Sequence, residues 1–467
     1  MKFSKFYFNY AIKTMVFTVM LLVSVSIVAQ STSYSDSWSK HGISLQKQSK
    51  QSVALNFSVE SFTRMPLDIN GRVMEKINTA GSFLPNEEGA PDMPVISRYV
   101  AIPQGASVKL IVKNARIAKL QNIEISPSPR IPLDTEKGPL KYQQDNNIYS
   151  KNAYYPSEAV SVSKPMKIRG LDVVMISYNA FQYNPVTKEM LVNRDMEVEI
   201  EFVGGNGHFG EDKYRNRFWD PILRDAVIND ESIDKNYTRN NKTSVTGCEY
   251  LIIVPDDADF LSWADSIRIF RQKQGIETQI VTLTELGGNT TSAIETYINT
   301  AYNEWDIPPA AVLLMADYGT SGVGITSPIY DNYCISDNIY ADVDNDHMPD
   351  IAFARITARN NAELETIVHK ALNYERNPPT NPNFYSNPIT AMGWQTERWF
   401  QICSEVIAGY FETVHEKTPV RENAIYQGNS SGPWSTATNT ATVIAYFGEA
   451  GLGYIPNSPS YLTDWGG

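Results

Sequence analysis

The chain has 467 residues and a formal net charge of −12, with 40 Lys and Arg against 52 Asp and Glu. That acidic balance argues against nucleic acid as a partner, because phosphate binding needs clustered Lys and Arg. Hydrophobic content is ordinary at 42%, the length suits two domains, and the three cysteines are too few and too scattered for a disulfide framework or a CxxC metal site.

Residues 1–29 combine Lys2, Lys5 and Lys13, an apolar run from Met15 to Val28, and the small Ala29. This is a signal-peptide pattern, with export and cleavage expected near Ala29–Gln30. The run is about 14 residues, short of the roughly 20 a membrane-spanning helix needs. No later segment is apolar enough to span, so no membrane span is expected once the signal is removed. A retained N-terminal anchor is the competing reading, because Ile27 is bulkier than the residue preferred before a cleavage site.

Residues 30–203 are β-rich, with short alternating or β-branched runs broken by Pro, Gly and Asn. Val108–Val112, Val173–Ile176 and Met196–Phe202 are the clearest strands, and Tyr178–Tyr183, Asn184-Pro185 and Met190–Val192 read as a hairpin. The expected fold here is a β-sandwich. Residues 204–247 open on Gly204, Gly205, Gly207 and Gly210 and read as a polar linker. Within it, Phe218, Trp219, Ile222 and Leu223 form either a short docking segment or stray apolar positions.

From Cys248 strands and helices alternate: strand Tyr250–Val254, a helix ended by Gly275, strand Glu277–Leu283, helix Ser292–Tyr302 and strand Ala311–Met315. Strand Asp350–Phe353, helix Ala362–Tyr374, strand Ile389–Met392 and helices Glu397–Phe411 and Thr438–Phe447 follow. Alternation of this kind predicts an α/β domain over 248–467 with a mainly parallel sheet. Because Pro456–Gly467 reads as a loop leading onward, that domain is expected to be C-terminally incomplete.

Reactive groups in such a sheet belong on loops at the carboxyl ends of its strands. The acidic loop Asp342 to Asp350 places carboxylates at Asp342, Asp344, Asp346 and Asp350, a spacing that suits calcium, which takes oxygen ligands. His347 stands where a glycine is usual in such loops, and a solvated acidic turn is the alternative. Glu397, opening a helix after a strand, either orients a catalytic imidazole or answers the helix dipole. His369 and Cys403 do not form a dyad on helical spacing, since Cys403 lies in an apolar stripe and His369 beside one. Cys248 and Cys334 read as ordinary thiols, and no convincing nucleophile and base pair is present.

The Tyr250–Val254 strand, Leu313-Leu314-Met315-Ala316-Asp317, Ser336-Asp337-Asn338-Ile339-Tyr340, Ala354-Arg355 and Asn373-Tyr374-Glu375-Arg376, taken together, resemble the gingipain family of cysteine peptidases. Upstream, Gly89-Ala90-Pro91-Asp92-Met93-Pro94-Val95 and Ala101-Ile102-Pro103 are similar to a gingipain propeptide. The resemblance implies a secreted bacterial cysteine endopeptidase, extracellular or on the cell surface, acting on protein or peptide substrates. It also implies a caspase-like α/β fold, bound calcium and a β-rich propeptide that acts as an intramolecular inhibitor until it is cut. Arg239 becomes a maturation site, or remains one basic residue among several in the linker. The loop around Asp317 and Tyr318 would line the cleft. The family's His-Gly histidine and its cysteine are not recognisable, since His41-Gly42 is the only His-Gly pair and lies near the start. The catalytic pair is therefore expected beyond this chain, leaving the fragment inactive. The rival is a non-catalytic exported binding or protease-inhibitory protein built on the β-sandwich.

Overall fold

The computed structural model describes residues 29–392 apart from 83, 86, 131–139, 235–245, 331 and 333, together with 404, 407–412, 415–423, 426–429 and 432–434. The expected signal segment therefore lies outside the described residues.

Among the described residues, twelve strands form the first unit: β1 (Gln30–Ser33), β2 (Gly42–Gln48), β3 (Ser52–Ser58), β4 (Ser61–Ile69), β5 (Arg72–Asn78), β6 (Ile96–Ala101), β7 (Ala106–Gln121), β8 (Val160–Val162), β9 (Met166–Ile168), β10 (Leu171–Tyr178), β11 (Phe181–Asn184) and β12 (Glu189–Gly204). One antiparallel sheet runs β11-β12-β3-β2 with β7 also on β12, and a second runs β6-β10-β8 with β9 on β10. A third sheet, β1-β4-β5, completes the unit. Side chains that alternate along a strand give a sheet two faces. In β12, Met196, Val198 and Ile200 are buried, while Glu199 and Glu201 point outward and meet Lys113 at 2.8 Å and Lys109 at 3.3 Å on β7. A slip of one residue would bury those charges, so the alternation fixes the register. The inward rows of β3, β10 and β12 share one core, in which the rings of Phe57 and Tyr178 lie 5.0 Å apart.

The expected strand Tyr178–Tyr183 is divided. The chain leaves one sheet after Tyr178 and enters the other at Phe181. Buried Asn193 holds this crossing, its amide donating to Asn179 O at 2.9 Å and Gln182 Oε1 at 3.1 Å.

The second unit contains β13 (Tyr250–Val254), β14 (Thr278–Thr282), β15 (Ala311–Leu314), β16 (Ile329–Tyr330), β17 (Cys334–Ile335), β18 (Ala352–Arg355), β19 (Ile389–Met392) and β20 (Val420–Asn423). Four of these make a sheet in the order β14-β13-β15-β18, parallel throughout. Its central strands β13 and β15 are short apolar runs, as burial on both faces requires, whereas the edge strands β14 and β18 are more polar or more exposed. The helix Ala258–Lys273 starts at Asp257, whose side chain accepts from Asp259 N and Phe260 N. It packs beside the helix Asn361–Arg376 through Trp263, which donates to Asn361 Oδ1 at 2.9 Å, and through an Arg271–Glu375 ion pair at 2.5 Å. The helix Thr291–Glu304 buries Ile294, Ile298, Ala301 and Tyr302. β19 pairs with β20 in a separate parallel ladder rather than extending the main sheet.

The segment expected as a linker is folded as far as Ile233. Its helix α1 (Trp219–Ala226) buries Trp219 and Leu223, and Trp219 Nε1 donates to Ala310 O at 2.9 Å. Phe209, Trp219, Leu223, Val227 and Ile233 form a third cluster with Ile168, Leu171 and Val173 of the first unit and Ala310 of the second. Of the four apolar positions, Trp219 and Leu223 are docking positions, while Phe218 and Ile222 stay exposed. Among the described residues, no helix is long and apolar enough to cross a membrane.

Candidate functional site

At the carboxyl ends of the sheet lie Val254, Leu314 and Arg355. Arg355 forks onto Asp337, Nε donating to Oδ2 and Nη2 to Oδ1, each at 2.8 Å. Its Nη1 donates to the carbonyls of Ala316 at 2.9 Å and Ile325 at 3.0 Å, and Nη2 reaches Ser327 Oγ at 2.6 Å. Ser327 donates in turn to Asp337. One planar cation thereby ties three loop segments together, a task that suits Arg rather than Lys. Burial opposes ionisation of Asp337, yet the hydrogen bonds from Arg355 and Ser327 hold its carboxyl below the usual range. Asp317 sits on this edge, its N–H donating to Ala358 O at 2.9 Å, and Tyr318 beside it is exposed.

The acidic loop occupies the opposite edge. Asp350 lies two positions before β18, so the loop enters the sheet at the amino end and not at the carboxyl end, where reactive loops are expected. Asp342, Asp344 and Asp350 bring carboxylate oxygens within 4.8 Å of one another. Asp346 turns aside, accepting from Met348 N at 2.9 Å and from Lys167 N of β9. Asn345 and His347 have φ of 61° and 72°, so the position where glycine is usual does adopt the left-handed backbone. Asp342 braces the turn by accepting from Asp346 N at 3.0 Å and His347 N at 2.9 Å. Burial, then the neighbouring Asp344 charge, pushes Asp350 up to about 6, and burial with Asp346 and Asp342 raises Asp344. Three oxygen donors whose mutual repulsion a hard cation would relieve fit calcium chemistry.

The described histidines and cysteines stand apart. Cys248 is buried at the start of the second unit, and burial pushes its thiol up to about 12, while Cys334 is exposed on the β16–β17 hairpin. His369 lies on an exposed helix flank, edge-on to Trp263 at 5.0 Å and 3.8 Å from Glu365. His208 lies between Asp212 and Asp234, and His41 bonds to Ala80 O at 2.8 Å. Cys403, Glu397 and Arg239 fall outside the described residues. The Arg355 fork and the buried Arg169, described below, went unread in the sequence. Only the adjacent Arg169-Gly170 turn between strands could have pointed to the latter.

Residues 40–237 match the profile Propeptide_C25, and residues 243–454 match Peptidase family C25. The chain belongs to peptidase family C25, as a gingipain-type precursor. Gingipain R2 of Porphyromonas gingivalis (strain ATCC BAA-308 / W83) is 24% identical over 317 residues, 65% of this chain and 40% of the relative. Lys-gingipain of Porphyromonas gingivalis (strain ATCC 33277) is 22% identical over 378 residues, 78% of this chain and 22% of the relative. The chain thus spans less than half the length of the curated relatives it matches. A solved complex of the Porphyromonas gingivalis RgpB pro- and mature domains is 18% identical, with TM-score 0.37, over 41% of this chain and 97% of that chain. A structure concerning the zymogenic latency of gingipain K has TM-score 0.33 at 18% identity, over 38% of this chain and 100% of that chain. Within the C25 propeptide match, Gly89-Ala90-Pro91-Asp92-Met93-Pro94-Val95 is a buried crossing. Asp92 accepts from Ser128 Oγ at 2.9 Å, and Gly89 has φ of 80° with Asp145 N only 3.0 Å from where a Cβ would stand.

Proposed function

We propose that this C25 chain is a secreted cysteine endopeptidase precursor. It would consist of a signal segment over 1–29, a β-sandwich propeptide over 30–203, a connecting segment over 204–247 cut at Arg239, and a caspase-like α/β catalytic domain from 248. The observation that carries this reading is the order of the two family matches, propeptide and then peptidase. Those matches also disfavour the non-catalytic binding protein. The nucleophile and its imidazole belong outside the described residues, with Glu397 as the group that orients the imidazole. The propeptide would restrain the enzyme, and substrates would be proteins or peptides.

Calcium in this proposal is structural. Asp342, Asp344 and Asp350 would hold it, with Asp346 bracing the loop from the β9 side, and it would supply charge neutralisation at the amino edge, away from the reacting atoms. The test of the main reading is peptide cleavage by the secreted protein expressed from the intact gene, with and without a thiol-alkylating reagent. Cleavage abolished by alkylation is the expected result. A secreted protein that is cut at Arg239 and yet shows no thiol-sensitive cleavage would overturn it.

A further inference from the structure

Arg169 is 1% exposed, among the largest fully buried side chains described, although it sits at a hairpin turn of a β-rich unit. The turn is formed by Arg169 at φ of 43° and Gly170 at φ of 74°, and it points the side chain out of its own unit. A Cβ on Gly170 would stand 2.5 Å from the Tyr214 ring, so the close approach requires glycine. The guanidinium enters a socket of carbonyls. Nε donates to Tyr214 O at 2.8 Å, Nη1 to Pro309 O and Asp350 O at 2.9 Å each, and Nη2 to Pro308 O at 3.3 Å. The backbone N–H of Arg169 donates to Asp350 Oδ1 at 3.0 Å, which also accepts from Tyr302 OH at 3.2 Å. Trp219 and Tyr302 wall the socket, with the guanidinium carbon 5.3 Å and 5.6 Å from their ring centres. Tyr214 stacks on Tyr302 at 4.4 Å.

The position of this socket is informative. Pro308 and Pro309 precede β15 and Asp350 precedes β18, so it lies on the amino edge of the parallel sheet, opposite the Arg355 fork. Most of its acceptors come from the second unit, while Tyr214 and Trp219 come from the segment that connects the units. That segment is itself joined to the first unit, where the Asn229 side chain exchanges hydrogen bonds of 2.8 and 2.9 Å with the Ala101 backbone.

We propose that Arg169 is the anchor of a docking joint: the α/β unit presents a carbonyl socket for one guanidinium, and its partner is the β-rich unit of the same chain. The joint holds the two units together without help from the residues beyond Asp234 that connect them. The joint lies at the amino edge of the sheet, opposite the Arg355 fork. Burial lowers the guanidinium pKa to about 10, which still leaves it charged at neutral pH. Removing it strands several buried carbonyls without a donor.

The proposal does not depend on peptidase activity. Its test is the full chain carrying a site-specific protease sequence between Asp234 and Thr246, cut to completion and followed by size-exclusion chromatography through a dilution series. The cut parent should elute as a two-piece complex, whereas R169M should dissociate at protein concentrations roughly 100-fold higher than the parent. R169K, which keeps charge but loses the fork, should fall between them, and it replaces R169M in the comparison if that variant misfolds. A parent that separates on cutting, or an Arg169 variant that stays together as firmly as the parent, would overturn it.

Discussion

Two residues of similar chemistry do different work here because of their surroundings. Arg355 meets a carboxylate and is bidentate to Asp337, whereas Arg169 meets mainly carbonyls. The Asp337 carboxyl is held below its ordinary range, so its contribution to stability is fully present above the unfolded carboxylate value and is lost as pH falls through the folded one. D337N should therefore lower stability by about 1–3 kcal/mol at neutral pH. The difference from the parent should shrink in acid denaturation below about pH 4. The thiols give a second contrast. Cys334 is exposed and Cys248 is buried with its pKa raised to about 12. Maleimide labelling mapped by mass spectrometry should modify Cys334 in the native protein and Cys248 only after denaturation.

At the scale of elements, the acidic loop and α1 each turn a local pattern into a contact. The loop's carboxylates at Asp342, Asp344 and Asp350 converge because Asn345 and His347 take left-handed backbone, which closes the turn. Calcium at about 100 times its Kd should stabilise the protein by about 2.7 kcal/mol, read as a rise in the thermal midpoint that EDTA reverses. D344N should abolish that rise. For α1, truncation of Trp219 removes both a buried ring and its bond to Ala310 O. W219A should cost about 3–5 kcal/mol in chemical denaturation, the range for buried aromatic deletions. A surface change on the same helix, I222A, should cost far less, because Ile222 is 51% exposed.

At the scale of the whole molecule, thiol-sensitive peptide cleavage by the secreted protein, blocked by alkylation, is the outcome that would establish catalysis. Periodicity in the sequence was enough to set the β-rich unit, the parallel sheet and the three long helices between Cys248 and Arg376, but not the one-turn helices Leu283–Leu286 and Asn338–Ala341. Burial faces repeat every two or 3.6 residues, and that repeat is local. The same local reading marked the acidic loop and the family resemblance. It could not divide Tyr178–Tyr183 between two sheets, because a single Asn179 within an otherwise apolar run is a weak turn signal and the crossing is held by Asn193 from another strand. Nor could it tell the docking segment at Trp219 from stray apolar residues, or assign the acidic loop to the amino edge. Arg169 is the clearest case. Arg beside Gly reads as a solvated turn, and only the tertiary structure, by bringing Tyr214, Pro308, Pro309 and Asp350 around it, provides the hydrogen bonds that let a charge be buried there.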